Sequence, residues 1–258
     1  MYANEHIAHR IVQADTLTMN VLNTSFVPQV RNTHSMFFPR ELMQLKYAIF
    51  DLDGTLLDSL PVWDHLGLDM LRAQGYDPDP ALGPVLKSLT MADGAALCKR
   101  LFHMPQSLDE IAALVENQAQ WAYNTVVGPK PGAVDFLKRL KAAGIPMFVA
   151  TNTRRELAED GLRHNGLLDH FQGIVTCPEV GQGKAEGPAV YEAALARLGG
   201  TKADTVVFED ALPPIRTAKR AGFRVAALYD ISSRKEEAEI RALADLYVHS
   251  YDEISLDL

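Results

Sequence analysis

One short stretch limits what this chain can become. Residues 47–59 read Tyr-Ala-Ile-Phe-Asp-Leu-Asp-Gly-Thr-Leu-Leu-Asp-Ser. An apolar run of strand type delivers Asp51 and Asp53 to the point where Gly54 and Thr55 begin a turn. Side chains two apart on an extended backbone point to the same side, so the two carboxylates can share one small site. Packed closely they repel, and burial raises the pKa of at least one unless a cation compensates. A hard divalent ion bound through oxygen is the natural compensation.

The rest of the chain supplies a frame for that stretch. Helical periodicity is readable over residues 60–74, 90–102 and 107–124, and Ser107 with Glu110 makes a capping box. Residues 77–84, rich in Pro, Gly and Asp, read as a loop, and nothing between 60 and 128 reads as a buried strand. From Gly128 onward apolar strands alternate with helices. Strands are expected at 145–150, 174–176, 205–208 and 224–228, with helices at 133–143, 154–165, 188–198, 213–221 and 235–243. This alternation predicts an α/β fold, a doubly wound parallel sheet covered on both faces, with a helical segment inserted after the first strand. The expected division is an N-terminal extension over 1–44, a core from 45–59 and 129–258, and a helical cap from 60–128. In such sheets ligands bind beyond the carboxyl ends of the strands. Asp51 and Asp53, Thr151 and Asn152, and Glu209 and Asp210 all fall at such ends, and Lys184 lies on a loop that can reach them.

Bulk properties narrow the partners. A net charge of −8 disfavours broad nucleic-acid binding, which needs a positive footprint. Cys98 and Cys177 are the only cysteines and carry no disulfide or zinc pattern. No apolar run reaches the roughly 18 residues that span a bilayer, and the first twenty residues lack a secretory apolar core. The expectation is a cytoplasmic protein without membrane or nucleic-acid partners. Residues 1–44 show no sustained period, and Met43 stands shortly before the first strand as an alternative start.

Four sites taken together resemble the motifs of the haloacid dehalogenase superfamily: Asp51 to Thr55 as Asp-X-Asp-Gly-Thr, Thr151 at a strand end, Lys184, and the acidic pair Glu209 and Asp210. The resemblance spans about residues 46–250. It implies a Rossmann-like core with a cap, and a Mg²⁺-dependent phosphatase acting on a small phosphorylated metabolite. Asp51 would be the nucleophile that forms an aspartyl-phosphate, and Asp53 the acid and base. Mg²⁺ would be held by Asp51, the backbone carbonyl of Asp53 and Asp210, with Glu209 as ligand or close neighbour. Gly54, Thr55, Thr151, Asn152 and Lys184 would hold phosphate oxygens, and Trp63 would either wall the substrate or pack in the cap. Alone, Thr151-Asn152-Thr153 reads equally as a helix cap, and Lys184 as a surface lysine.

Three departures from family patterns stand out, two of them bearing on a rival reading. Lys184-Ala185-Glu186-Gly187-Pro188 is one residue longer than the usual Lys-Pro turn, and Glu186 has no assigned role. Sugar-phosphate mutases of the β-phosphoglucomutase type carry His ten residues after the second Asp, where this chain has Trp63; His65 lies about 200° away around a helix. Their Ser-Arg-Glu run is replaced near Thr90-Met91-Ala92. A dehalogenase has no need of Asp53. A phosphonate hydrolase would need a cap lysine such as Lys87 or Lys99. A silent member of the fold would have lost Asp51 or Asp53. His103, His164 and His170 show no ligand spacing, and the oligomeric state is not legible.

Overall fold

Each strand of the core buries both of its faces, which is why the strands read as unbroken apolar runs. The computed structural model describes residues 45–255. Expectations about residues 1–44, including the alternative start at Met43, lie outside the described residues. Six strands form one sheet: β1 (Tyr47–Phe50), β2 (Met147–Thr151), β3 (Gly173–Thr176), β4 (Thr205–Glu209), β5 (Arg224–Leu228) and β6 (Leu246–Val248). Their order is β3-β2-β1-β4-β5-β6 and every pairing is parallel. The predicted doubly wound α/β sheet is therefore present.

The sheet separates two apolar cores. Ala48 and Phe50 of β1, Val149 of β2 and Phe208 of β4 face one side, against Phe136 and Leu140 of α5 (Ala133–Ala142) and Leu157 and Leu162 of α6 (Arg155–His164). Ile49, Ala150 and Val207, the alternate residues, face the other. There they meet Val190 and Tyr191 of α8 (Ala189–Leu198) and Ile215 of α9 (Leu212–Arg220). Phe50 stacks on Phe208 at 4.3 Å between ring centroids, locking β1 to β4 where the first two acids emerge.

Four helices follow β1: α1 (Leu60–Ala73), α2 (Leu82–Ser88), α3 (Met91–Phe102) and α4 (Leu108–Thr125). Met70, Leu71, Ala95, Cys98, Met104 and Ile111 give them a small core of their own. Thr90 and Ser107 cap α3 and α4, the latter through the full capping box. Helix α2 replaces part of the predicted loop. Gly83 and Pro84 look like breakers, yet Pro84 sits in the first turn, where a missing N–H costs nothing. Two short elements escape the sequence pattern, namely α7 (Cys177–Val180) and β6; four and three residues are too few to show a period. Helix α10 (Glu237–Leu243) follows a 3-10 turn from Ile231 to Glu236, where one longer helix is predicted. Among the described residues, no helix is long and apolar enough to cross a membrane.

Candidate active site

Strand order reverses around β1 and β4, and their carboxyl ends open a crevice there. Asp51 follows β1 directly, and its backbone N–H donates to the Phe208 carbonyl at 2.9 Å. Glu209 ends β4 and Asp210 follows it. Asp51, Glu209 and Asp210 are buried, and each offers one carboxylate oxygen within 4.8 Å of the others.

Lys184, 1% exposed, reaches into this cluster. Its ammonium pairs with Asp51 and donates to Glu209 at 2.7 Å. Tyr191 donates to the same Glu209 oxygen at 2.6 Å. One ammonium among three carboxylates leaves an excess of negative charge. Burial, and then the Glu209 charge, push the Asp51 carboxyl up to about 8 despite the pull of Lys184. Burial and the Asp51 charge raise Asp210 well above the carboxylate range. Burial opposes the charge on Lys184, but Asp51 and Glu209 outweigh it and raise its pKa. A divalent cation fits this donor set, because hard carboxylate oxygens and two units of missing positive charge are what it needs.

Gly54 explains why the turn after the acids is glycine. Its φ is +83°, and a Cβ there would lie 2.5 Å from Asp210 Oδ2. Thr55 is fully buried, and its hydroxyl donates to Asp210 Oδ1 at 3.1 Å, so it orients a carboxylate of the cluster.

Asp53 turns elsewhere. Its carboxylate accepts from Ser59 at 2.6 Å, from Thr153 at 2.5 Å, and from the hydroxyl of Tyr123. Tyr123 in turn accepts from the Trp63 indole N–H at 2.8 Å, and the two rings meet edge to face. Burial, followed by the neighbouring Asp53 charge, raises the Tyr123 pKa far above its ordinary value, so the phenol keeps its proton. Trp63 comes from α1 and Tyr123 from α4, the two ends of the helical segment. Trp63 is thus half-buried and bonded, and it also forms part of the wall of a cleft beside Asp53.

A pocket of about 250 Å³ joins the predicted residues, bringing Asp51, Asp53, Thr151, Asn152, Lys184, Glu209 and Asp210 to one space. Thr151 is buried, and its hydroxyl accepts from the Thr153 N–H at 3.0 Å. Asn152 is exposed, and its side-chain oxygen accepts from the Lys184 N–H at 3.4 Å. The longer loop around Lys184 is held from within. Glu186 accepts from the Gly183 N–H at 3.3 Å, and Gln182 from the Ala189 N–H at 3.1 Å. The unassigned Glu186 therefore has a seat in the loop that aims Lys184.

Sequence reasoning missed Tyr123 and Tyr191. Tyr123 sits on the apolar stripe of α4 and Tyr191 on that of α8, so both read as core aromatics. Only the three-dimensional placement turns their hydroxyls onto Asp53 and Glu209. Lys87, one of the cap lysines a phosphonate hydrolase would need, pairs with Asp64 and borders the pocket of Asp51.

Residues 45–222 match the haloacid dehalogenase-like hydrolase family. The chain is 31% identical over 216 residues to the validoxylamine A 7'-phosphate phosphatase of Streptomyces hygroscopicus subsp. limoneus, covering 81% of this chain and 95% of that protein. It is 29% identical to hexitol phosphatase A of Escherichia coli K12, over 83% of this chain and 95% of that one. In structure it resembles CbbY from Rhodobacter sphaeroides, solved in complex with phosphate, with a TM-score of 0.66 and 26% identity over 83% of this chain and all of that one. With the parallel sheet, the Asp51 to Thr55 turn and the acidic cluster in place, the chain belongs to the haloacid dehalogenase-like hydrolase family.

Proposed function

We propose that this protein is a Mg²⁺-dependent phosphatase that hydrolyses a small phosphorylated metabolite through an aspartyl-phosphate, with helices α1–α4 serving as its cap. The observation that carries this reading is the division between its first two acids. Asp51 lies among buried carboxylates against Lys184, whereas Asp53, two residues on, accepts from the hydroxyls of Ser59, Thr153 and Tyr123. This division supports a reading in which Asp51 attacks and Asp53 moves a proton.

In the first step an Asp51 oxygen attacks phosphorus, and the bond from phosphorus to the alcohol oxygen breaks. Asp53 gives that oxygen its proton. In the second step Asp53 takes a proton from water, whose oxygen attacks the phosphoryl group and frees Asp51 and inorganic phosphate. Lys184 offsets the charge that builds on the phosphoryl oxygens, and the Thr151 hydroxyl with the Asn152 N–H orients them. Asp51, Asp210 and the backbone carbonyl of Asp53, with Glu209 beside them, would hold Mg²⁺, which supplies positive charge to the phosphate and the carboxylates. Trp63 belongs to the wall that faces the leaving group. The relatives named above as phosphatases support the reaction class.

The test is release of phosphate from a panel of phosphate monoesters by the purified protein with Mg²⁺, beside Asp51→Asn. Release by the wild type and its loss in the variant are expected. No release from any ester would overturn the proposal. Supplying β-glucose 1-phosphate and following it by NMR separates hydrolysis from mutase action: free phosphate is expected, and accumulation of glucose 6-phosphate would count against a phosphatase.

A further inference from the structure

The space next to the phosphate pocket divides into a cleft of mixed lining and an apolar chamber. A cleft of about 470 Å³ beside Asp53 is lined by the polar Glu116, Asn152 and Arg154 and by the apolar Leu60, Trp63 and Met91. A second chamber, of about 220 Å³, lies between helices α1, α2, α3 and α4, with Leu66, Met70, Leu86, Ala95 and Ile111 in its wall. The two adjoin, since Trp63, Leu66, Met91 and Val115 border both. Lys87 stands in the wall of the chamber and of the pocket that holds Asp51.

The chamber offers little to a hydroxyl group. Its polar side chains are already paired: Lys87 pairs with Asp64, and Thr90 bonds to Asp93 at 2.7 Å. The Trp63 N–H is taken by Tyr123. A polyol placed here would find only Lys87 and Asp64 with bonding capacity to spare, so it would lose most of its water partners. By contrast Leu89 and Met91, at the lip, are 36% and 46% exposed, large apolar side chains left facing an opening.

A glycine lines the chamber. Gly94 stands in the interior of α3, where glycine weakens a helix relative to alanine. At Gly67 and Gly83 a Cβ would press on Leu86 and Leu68 at 2.7 and 3.1 Å, so close packing of α1 against α2 accounts for both. At Gly94 a Cβ would meet nothing within 4 Å. Packing does not call for glycine there, and a larger residue would project into the space.

We infer that this chamber receives the leaving group, and that the substrate is a phosphate monoester of an alcohol bearing an apolar ring or short branched chain rather than a polyol. The inference rests on the phosphatase reading above. Trp63, Met91 and Gly94 become specificity-determining residues, and the volume suits a group of about one ring.

The test compares three esters with the full-length protein and Mg²⁺: 2-phenylethyl phosphate, sorbitol 6-phosphate and ethyl phosphate. The expected result is a kcat/KM at least about tenfold higher for the phenylethyl ester than for the sorbitol ester. Gly94→Leu improves helix propensity and fills the chamber. It is expected to raise KM for the phenylethyl ester about tenfold while leaving ethyl phosphate within about threefold. Leu89→Gln at the lip provides the same comparison without altering a glycine. Equal or faster release from the sorbitol ester, or variants that slow all esters alike or none, would overturn the inference and leave the phosphatase standing. Release from none of the three, nor from any ester of the wider panel, would overturn both.

Discussion

Asp53 shows how much a side chain's neighbours decide. The same residue type two positions earlier sits among charges, yet Asp53 accepts from Ser59, Thr153 and Tyr123, and Trp63 fixes Tyr123 in turn. Tyr123 is therefore a positioning residue for the proton transfer of the proposed reaction. Tyr123→Phe keeps the ring and loses the hydroxyl. Hydrolysis of an alkyl phosphate, whose leaving oxygen needs a proton, is expected to fall about 10- to 100-fold, while that of p-nitrophenyl phosphate changes less than about threefold. Equal loss on both esters would point to a purely structural role. For Asp51→Asn, phosphate release should fall by at least about 1000-fold with the melting temperature kept. Gly54→Ala forces a Cβ against Asp210 at a positive φ, and Mg²⁺ affinity measured by calorimetry is expected to drop with activity.

At the scale of elements, the termini of α1 and α4 matter most, because Tyr123 of α4 donates to Asp53 and Trp63 of α1 donates to Tyr123, while other residues of both helices close a small core. Ser107 anchors α4 by bonding the Glu110 N–H at 3.2 Å, and Glu110 returns a bond to the Ser107 N–H at 2.7 Å. Ser107→Ala should cost about 1 kcal/mol, read as a lower urea midpoint. The capping box of α4 was legible because its signals are local: Ser, then Glu three positions later, then an apolar run. Helix α2 was not, because Gly83 and Pro84 carry the same letters as a loop and only their place in a first turn distinguishes them. Glu186 belongs to the same class of hidden role. Its bond to Gly183 depends on a loop shape that spacing does not reveal.

Over the whole molecule, charge couples the site to stability. Without metal, Asp51 is pushed up to about 8 and Asp210 is raised well above the carboxylate range, both chiefly by burial. An acid whose folded value exceeds its unfolded value of about 3.9 binds more protons when folded, so the metal-free protein loses stability as pH rises from about 4 to about 8. Chelator-treated protein should melt several degrees higher at pH 6 than at pH 8.5, and Mg²⁺ should restore the melting temperature at pH 8.5. Asp210→Asn should flatten the slope. A melting temperature that climbs with pH in the chelated wild type would contradict this account. The opposite sign belongs to Asp230, which is buried against Lys130 at 2.8 Å. Burial alone would raise it, but the Lys130 bond and the Ser232 N–H together hold it below the usual range. Its contribution persists at neutral pH and is lost only as pH falls below about 4.

The sequence by itself determined the parallel α/β sheet, the strand ends that carry Asp51, Thr151, Glu209 and Asp210, and the helical segment between them. These follow from period, from turn residues and from the rule that side chains two apart share a face, all of which act over a few neighbouring residues. Tertiary structure alone decided the rest. It set Tyr123 and Trp63 behind Asp53, Thr55 behind Asp210, Glu186 under the Lys184 loop, and an apolar chamber beside Gly94. These contacts join residues as much as 155 positions apart. Packing that closes such distances depends on the volume and direction of many side chains at once, and no local pattern encodes it.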